Sequence, residues 1–206
     1  MTLKYLELAM TEAVRRAQNH YYGRAMKIAG APERNPLGQA EAEFLAARDS
    51  FYLGSISETG WPYIQHRGGP KGFLQVVNET TLAFADYKGN RQLLTTGNVS
   101  VNDRVALFLM DYQNQARLKI LGHARVEDAR AHPELVAQLA DQTMQSSVER
   151  LVFIDVVSFD WNCPKYITPR YSLEEVEELA GPLRTRITEL EAELRAARTG
   201  SGSSPA

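Results

Sequence analysis

Apolar residues recur every three or four positions near the start of the chain, at Leu3, Leu6, Ala9, Met10, Ala13, Val14 and Ala17. That spacing predicts one amphipathic helix from Thr2 to about Ile28, peripheral because its polar face is wide. Residues 29–38 hold two prolines and two glycines and read as a loop, followed by a short helix over 39–47. From Phe51 the pattern becomes that of strands: 51–57 and 61–67 around a Glu58-Thr59-Gly60 turn, then 73–77 and 81–85, 104–112 and 118–126, and 151–159. Helices are expected over 91–96, ending at Gly97-Asn98, and over 132–144, with Pro133 near its start. About seven strands in mainly antiparallel order result, with a six-stranded core over residues 50–161. Turn signals at this interval belong to a β-barrel or sandwich.

A last helix is predicted over 172–198, opened by a capping box of Ser172 and Glu175 and kinked or divided at Gly181-Pro182. Beyond that break Leu183, Ile187, Leu190 and Leu194 follow a coiled-coil spacing. Such a helix is too short to stand alone in water. Residues 199–206 read as a disordered tail. The domain plan is thus a helical extension over 1–40, a β domain over 41–171, the helix over 172–198 and the tail.

Composition narrows the function. A net charge of −2 in 206 residues gives no general basic field, so nucleic acid is not an expected partner. No apolar run approaches membrane-spanning length, and no apolar leader opens the sequence. The single cysteine, Cys163, excludes an intrachain disulfide. These readings give a cytoplasmic location as the expectation. The four histidines, His20, His66, His123 and His132, lack metal-ligand spacing, so no metal is expected. No nucleophile elbow or P-loop is present.

The stretch Phe84-Ala85-Asp86-Tyr87-Lys88-Gly89-Asn90-Arg91-Gln92 has another character. It reads as a strand, a glycine corner and a helix opening with Asn90 as cap. Unpaired N–H groups at a helix start, with Lys88 and Arg91 beside them, suit an anion. The same pattern also describes an ordinary connection with solvated cations. Arg67 ends a strand at Gln65-His66-Arg67-Gly68-Gly69 and can hold a phosphate bidentately, and Arg117 and Lys119 share one face of a later strand. His66 with Asp86 is a candidate acid–base pair, or else a packed structural histidine. Trp161-Asn162 adds a flat apolar surface and an amide. Together these would suit a flat, phosphorylated heteroaromatic ligand, or a solvated barrel exterior.

The phrases RDSFYL at 48–53, GWPYIQHRGG at 60–69, FADYKGNRQ at 84–92, DRVALFLMDY at 103–112, RLKILG at 117–122 and FDWNCP at 159–164 stand in an order that resembles the pyridoxamine 5′-phosphate oxidase-like, FMN-binding split-barrel family. The similarity covers about residues 41–171 and is strongest to a bacterial subgroup of flavin-nucleotide-binding proteins. It implies a six-stranded antiparallel split barrel with peripheral helices, forming a homodimer with FMN at the subunit interface. On this resemblance the cofactor-binding residues are Gln65, His66, Arg67, Asp86, Lys88, Asn90, Arg91, Gln92, Arg117, Lys119, Trp161 and Asn162. Arg67, Asn90 and Arg91 would hold the phosphate, although Asn90 replaces the family's usual first cation. Arg117 and Lys119 would reach the ring, often from the second subunit. The implied activity is that of an FMN-dependent oxidoreductase of unknown substrate, with NAD(P)H as a possible electron donor. The alternatives are a flavin carrier or stress-related protein without turnover, a true pyridoxamine phosphate oxidase, and a haem- or deazaflavin-binding barrel. Against the true oxidase, Thr168-Pro169-Arg170-Tyr171-Ser172 lacks the histidine of the family's substrate motif.

Overall fold

The computed structural model describes residues 2–161 and 165–200. Strict alternation builds the sheet: β1 (Ser50–Ile56) buries Phe51, Leu53 and Ser55 and leaves Tyr52 and Ile56 at the surface. Around it stand β2 (Pro62–Gly68), β3 (Gln75–Asn78), β4 (Thr81–Tyr87), β5 (Arg104–Asp111), β6 (Ala116–Asp128) and β7 (Val148–Trp161). They form one sheet in the order β2-β1-β5-β6-β7-β4-β3, and every neighbouring pair is antiparallel. This is a split barrel with the seven strands that the pattern predicts, one more than the six-stranded barrel the resemblance implies. The strand expected over 73–77 is the short edge strand β3, paired with β4. The core is a continuous cluster of Phe51, Leu53, Leu82, Phe84, Leu107, Leu109, Leu118, Ile120 and Ile154, drawn from the inward positions of five strands.

Helices differ from the periodicity more than strands do. The first expected helix is two, α1 (Leu3–Ala9) and α2 (Glu12–Tyr22), because Thr11 leaves helical geometry and caps the second through its hydroxyl, which accepts from the Val14 N–H. The helix α3 (Gln39–Ala46) lies where expected. The helix α4 is Leu94–Val101, displaced from the predicted 91–96, and it runs through Gly97-Asn98 instead of ending there. The helix α5 (Pro133–Leu139) is shorter than predicted: Ala140 takes extended geometry, and the Asp141 carboxylate accepts the Thr143 N–H at 2.9 Å to form a turn.

The chain divides into two compact units, one of Met1–Asp111 and Gln115–Lys165, the other of Tyr112–Asn114 and Tyr166–Ala206. The second contains α6 (Leu173–Gly200), which Pro182 does not divide and which continues through two residues of the expected tail. Its capping box is formed, with the Ser172 N–H donating to Glu175 at 2.6 Å and the Glu175 N–H donating to the Ser172 hydroxyl at 3.1 Å. In this unit the Arg170 guanidinium lies 4.8 Å from the centre of the Tyr112 ring. Among the described residues, no helix is long and apolar enough to cross a membrane.

Candidate functional site

Period two along β2 turns Tyr63, Gln65 and Arg67 to one side, where they line a cavity of about 150 Å³. Asp86, Tyr87, residues 89–96 and Arg150 complete the lining. Asp86 sits in the interior of an apolar strand with its side chain 7% exposed, so its carboxylate requires partners. It has two. One oxygen accepts from Arg67 Nη1, and the other accepts from Arg150 Nε at 2.8 Å. Arg150 stands directly across from Asp86 in the β4–β7 register. Sequence reasoning missed this arginine, because the expected strand began one residue later, at Leu151. The signal was present: an aspartate inside a buried strand demands a cation on its neighbour. Glu149 also accepts from Arg150 at 3.1 Å, so the two carboxylates balance Arg67 and Arg150. Arg91 then supplies the excess positive charge at the cavity.

The corner after β4 is built differently from the expected helix opening. Arg91 and Leu93 are both left-handed, at φ 61° and 56°. Non-glycine residues rarely adopt this region, and for a leucine it is strained. Asn90 does not cap α4. Its side chain accepts the Gln92 N–H at 3.1 Å, while Leu93 occupies the position before the helix. The irregular segment and the first turn of α4 both line the cavity, and the first N–H groups of a helix lack intrahelical partners. The Thr95 hydroxyl, buried, donates to Gln65 Oε1 at 2.8 Å and fixes that amide. Burial, followed by the charge of Asp141, pushes the Tyr87 phenol above its ordinary pKa, so this wall group keeps its proton. A wider groove of about 620 Å³ adjoins, sharing Arg91, Leu93, Thr96 and Arg150 with the cavity.

Gln65, Arg67, Asp86, Asn90, Arg91 and Gln92 thus meet at one cavity. The other expected site residues that the structure describes do not line it. His66 points to the opposite face of β2, 5.6 Å from the Tyr52 ring, so a His66–Asp86 acid–base pair is not formed. Lys88 is exposed outside the cavity, and its backbone N–H donates to the Ser147 carbonyl. Lys119 pairs with Asp160 at 2.6 Å beneath the Tyr5 ring of α1, and Arg117 lies over Phe108. Trp161 donates through Nε1 to Glu41 at 2.6 Å and packs edge-on against Phe44, which holds it to α3. Asn162, like Cys163, lies outside the described residues. Among those described, no group of three or more His, Cys, Asp or Glu is placed to hold a metal ion.

The chain is thus a split barrel with a basic, partly strained cavity at the ends of its strands. Residues 37–154 match the family model of pyridoxamine 5′-phosphate oxidase, and the chain belongs to that family. No curated protein matches. Among solved structures, a candidate pyridoxamine 5′-phosphate oxidase of Lactobacillus delbrueckii is 17% identical, with 61% of this chain and 94% of that one covered at a TM-score of 0.48. HupZ of Group A Streptococcus is 10% identical over 66% of this chain and 100% of its own, with a TM-score of 0.47. An FMN-binding protein of Syntrophomonas wolfei is 10% identical over 78% and 97%, with a TM-score of 0.42.

Proposed function

We propose that this protein is an FMN-dependent oxidoreductase that works as a homodimer, with Arg67, Asn90, Arg91 and Arg150 holding the cofactor's phosphate. The observation that carries the reading is the convergence of Arg67, Arg91 and Arg150 on one cavity, with Arg91 and Leu93 held in left-handed geometry at its wall. Arg67 Nε is buried without a hydrogen-bond partner, so the cluster has donor capacity its own carboxylates do not use. A dianionic phosphate fits that donor set, and backbone N–H groups at the start of α4 add to it.

At about 150 Å³ the cavity is below the roughly 300 Å³ lower end of cofactor sites. It suits the phosphate end alone. The ring then lies in the adjoining groove and against a second subunit. Arg117 and Lys119 stand outside their own chain's cavity, and in this reading they face the partner's cofactor. Gln65, held by Thr95, and the protonated Tyr87 phenol offer fixed hydrogen-bonding groups to the polar chain between phosphate and ring. When bound, FMN supplies hydride or electron transfer through its N5. A cytoplasmic location belongs to the same reading.

Turnover is tested by mixing the FMN-loaded protein with NADH or NADPH anaerobically in a stopped-flow instrument. Bleaching of the flavin absorbance within seconds supports an oxidoreductase. A flavin that stays oxidised with either donor, although dithionite reduces it, identifies a carrier instead.

A further inference from the structure

The sequence pattern of α6 goes further than the two heptads after Pro182. Leu173, Val176, Ala180, Leu183, Ile187, Leu190, Leu194 and Ala197 fall at alternating steps of three and four, occupying every a and d position of a heptad repeat from 173 to 197. Gly181 and Pro182 take positions b and c, away from the seam. Along this seam Val176, Leu183, Ile187, Leu190 and Leu194 are 40–66% exposed. A solvated single helix does not hold such an apolar stripe stably.

The flanking charges say what covers it. Position e carries Glu177, Arg184, Glu191 and Arg198, and position g carries Arg186 and Glu193. A second copy running parallel and in register sets Arg186 of one helix against Glu191 of the other, and Glu193 against Arg198. It also aligns the apolar seam over its whole length. The antiparallel register with full overlap sets Arg184 against Arg184 and Glu177 against Glu191, which repel. Sliding it by a heptad in either direction to pair opposite charges leaves two seam residues without facing partners, Leu173 and Val176 or Leu194 and Ala197. Ile187 at a between leucines at d is also the combination that favours two parallel strands. With seven glutamates against four arginines, the helix is poorly suited to an anionic membrane surface.

We infer that α6 pairs with the α6 of a second copy of this chain as a parallel, in-register two-stranded coiled coil. The inference is independent of the flavin reading.

Disulfide trapping in the full-length chain tests it, in a Cys163→Ser background. Ile187→Cys places a thiol at an a position, Leu190→Cys provides a second seam position in case one variant folds poorly, and Thr185→Cys points outward at f. Under mild oxidation at micromolar protein, the two seam variants should form covalent dimers faster than Thr185→Cys by about tenfold or more, since paired helices raise the local thiol concentration. Equal rates at seam and outward positions, or no covalent dimer from either seam variant, would overturn the inference. A dimer held by its barrels with the helices apart gives that second result and leaves the flavin reading intact.

Discussion

Asp86 holds two guanidinium groups that reach it from different strands, and its removal leaves both buried without their shared counter-ion. Asp86→Ala should therefore destabilise the protein by roughly 3–5 kcal/mol, as breaking a buried pair does, measured by urea unfolding. Added phosphate should recover part of that loss if the cluster is an anion site. Arg91→Ala, which removes the cavity's surplus charge, should weaken FMN binding about tenfold or more, since a charge-assisted phosphate contact contributes roughly 1.5–3 kcal/mol. Lys88→Ala, outside the cavity, should change it little. Equal effects from both variants would mean that the corner acts only through its general charge. On the rim of the adjoining groove, hydrogen bonds from Arg130 hold the Asp128 carboxyl down at about 2. Because its folded value lies below the unfolded one, this contact stabilises the fold above the ordinary carboxylate range. The contribution is lost as pH falls towards 2, and an NMR titration of Asp128 should show that midpoint. Arg67 and Arg91 were legible as candidate residues because cations at strand ends and corners are visible in sequence, and Asp86 because it ends an apolar run. Arg150 was not, because only the β4–β7 register places it opposite Asp86. The side on which His66 emerges follows from strict alternation along β2, whereas the pairing of Lys119 with Asp160 needs strand neighbours that no local pattern gives.

Among the elements, glycines show where the backbone is constrained. Gly122 sits at a register shift between β6 and β7, where a Cβ would come within 2.7 Å of the Asp155 carbonyl oxygen. Gly122→Ala should cost about 1–3 kcal/mol, because the obstacle is backbone and cannot turn aside. Gly97, inside α4, faces open space, with no atom within 4 Å of where a Cβ would stand. Gly97→Ala should stabilise by about 0.4–1 kcal/mol through helix propensity and reduced freedom of the unfolded chain. Thermal unfolding of both variants checks the contrast in sign. Strands were largely readable because period two and turn residues mark them together. The helix at 91–96 was misplaced because Arg91 and Leu93 adopt a left-handed backbone that their residue types do not announce. That departure falls in the cavity wall, which is where a binding site most often holds strained backbone.

At the scale of the whole molecule, one antiparallel sheet brings the ends of β2 and β4 and the start of β7 to the same cavity. Arg67, Arg91 and Arg150 all lie within residues 37–154, the span that matches the pyridoxamine 5′-phosphate oxidase family model. The barrel was legible from the order of six phrases, none of which is specific alone. The two-unit division and the arrangement of the N-terminal helices were not, since packing against a sheet leaves a pattern much like that of any amphipathic helix. The central claim is that the cavity holds the phosphate of FMN, and the absorbance spectrum of the purified protein tests it most directly. The account predicts two visible flavin bands, with FMN released on denaturation at up to one per chain and largely lost from Arg91→Ala. A colourless protein that also leaves the fluorescence of added FMN unchanged would contradict it.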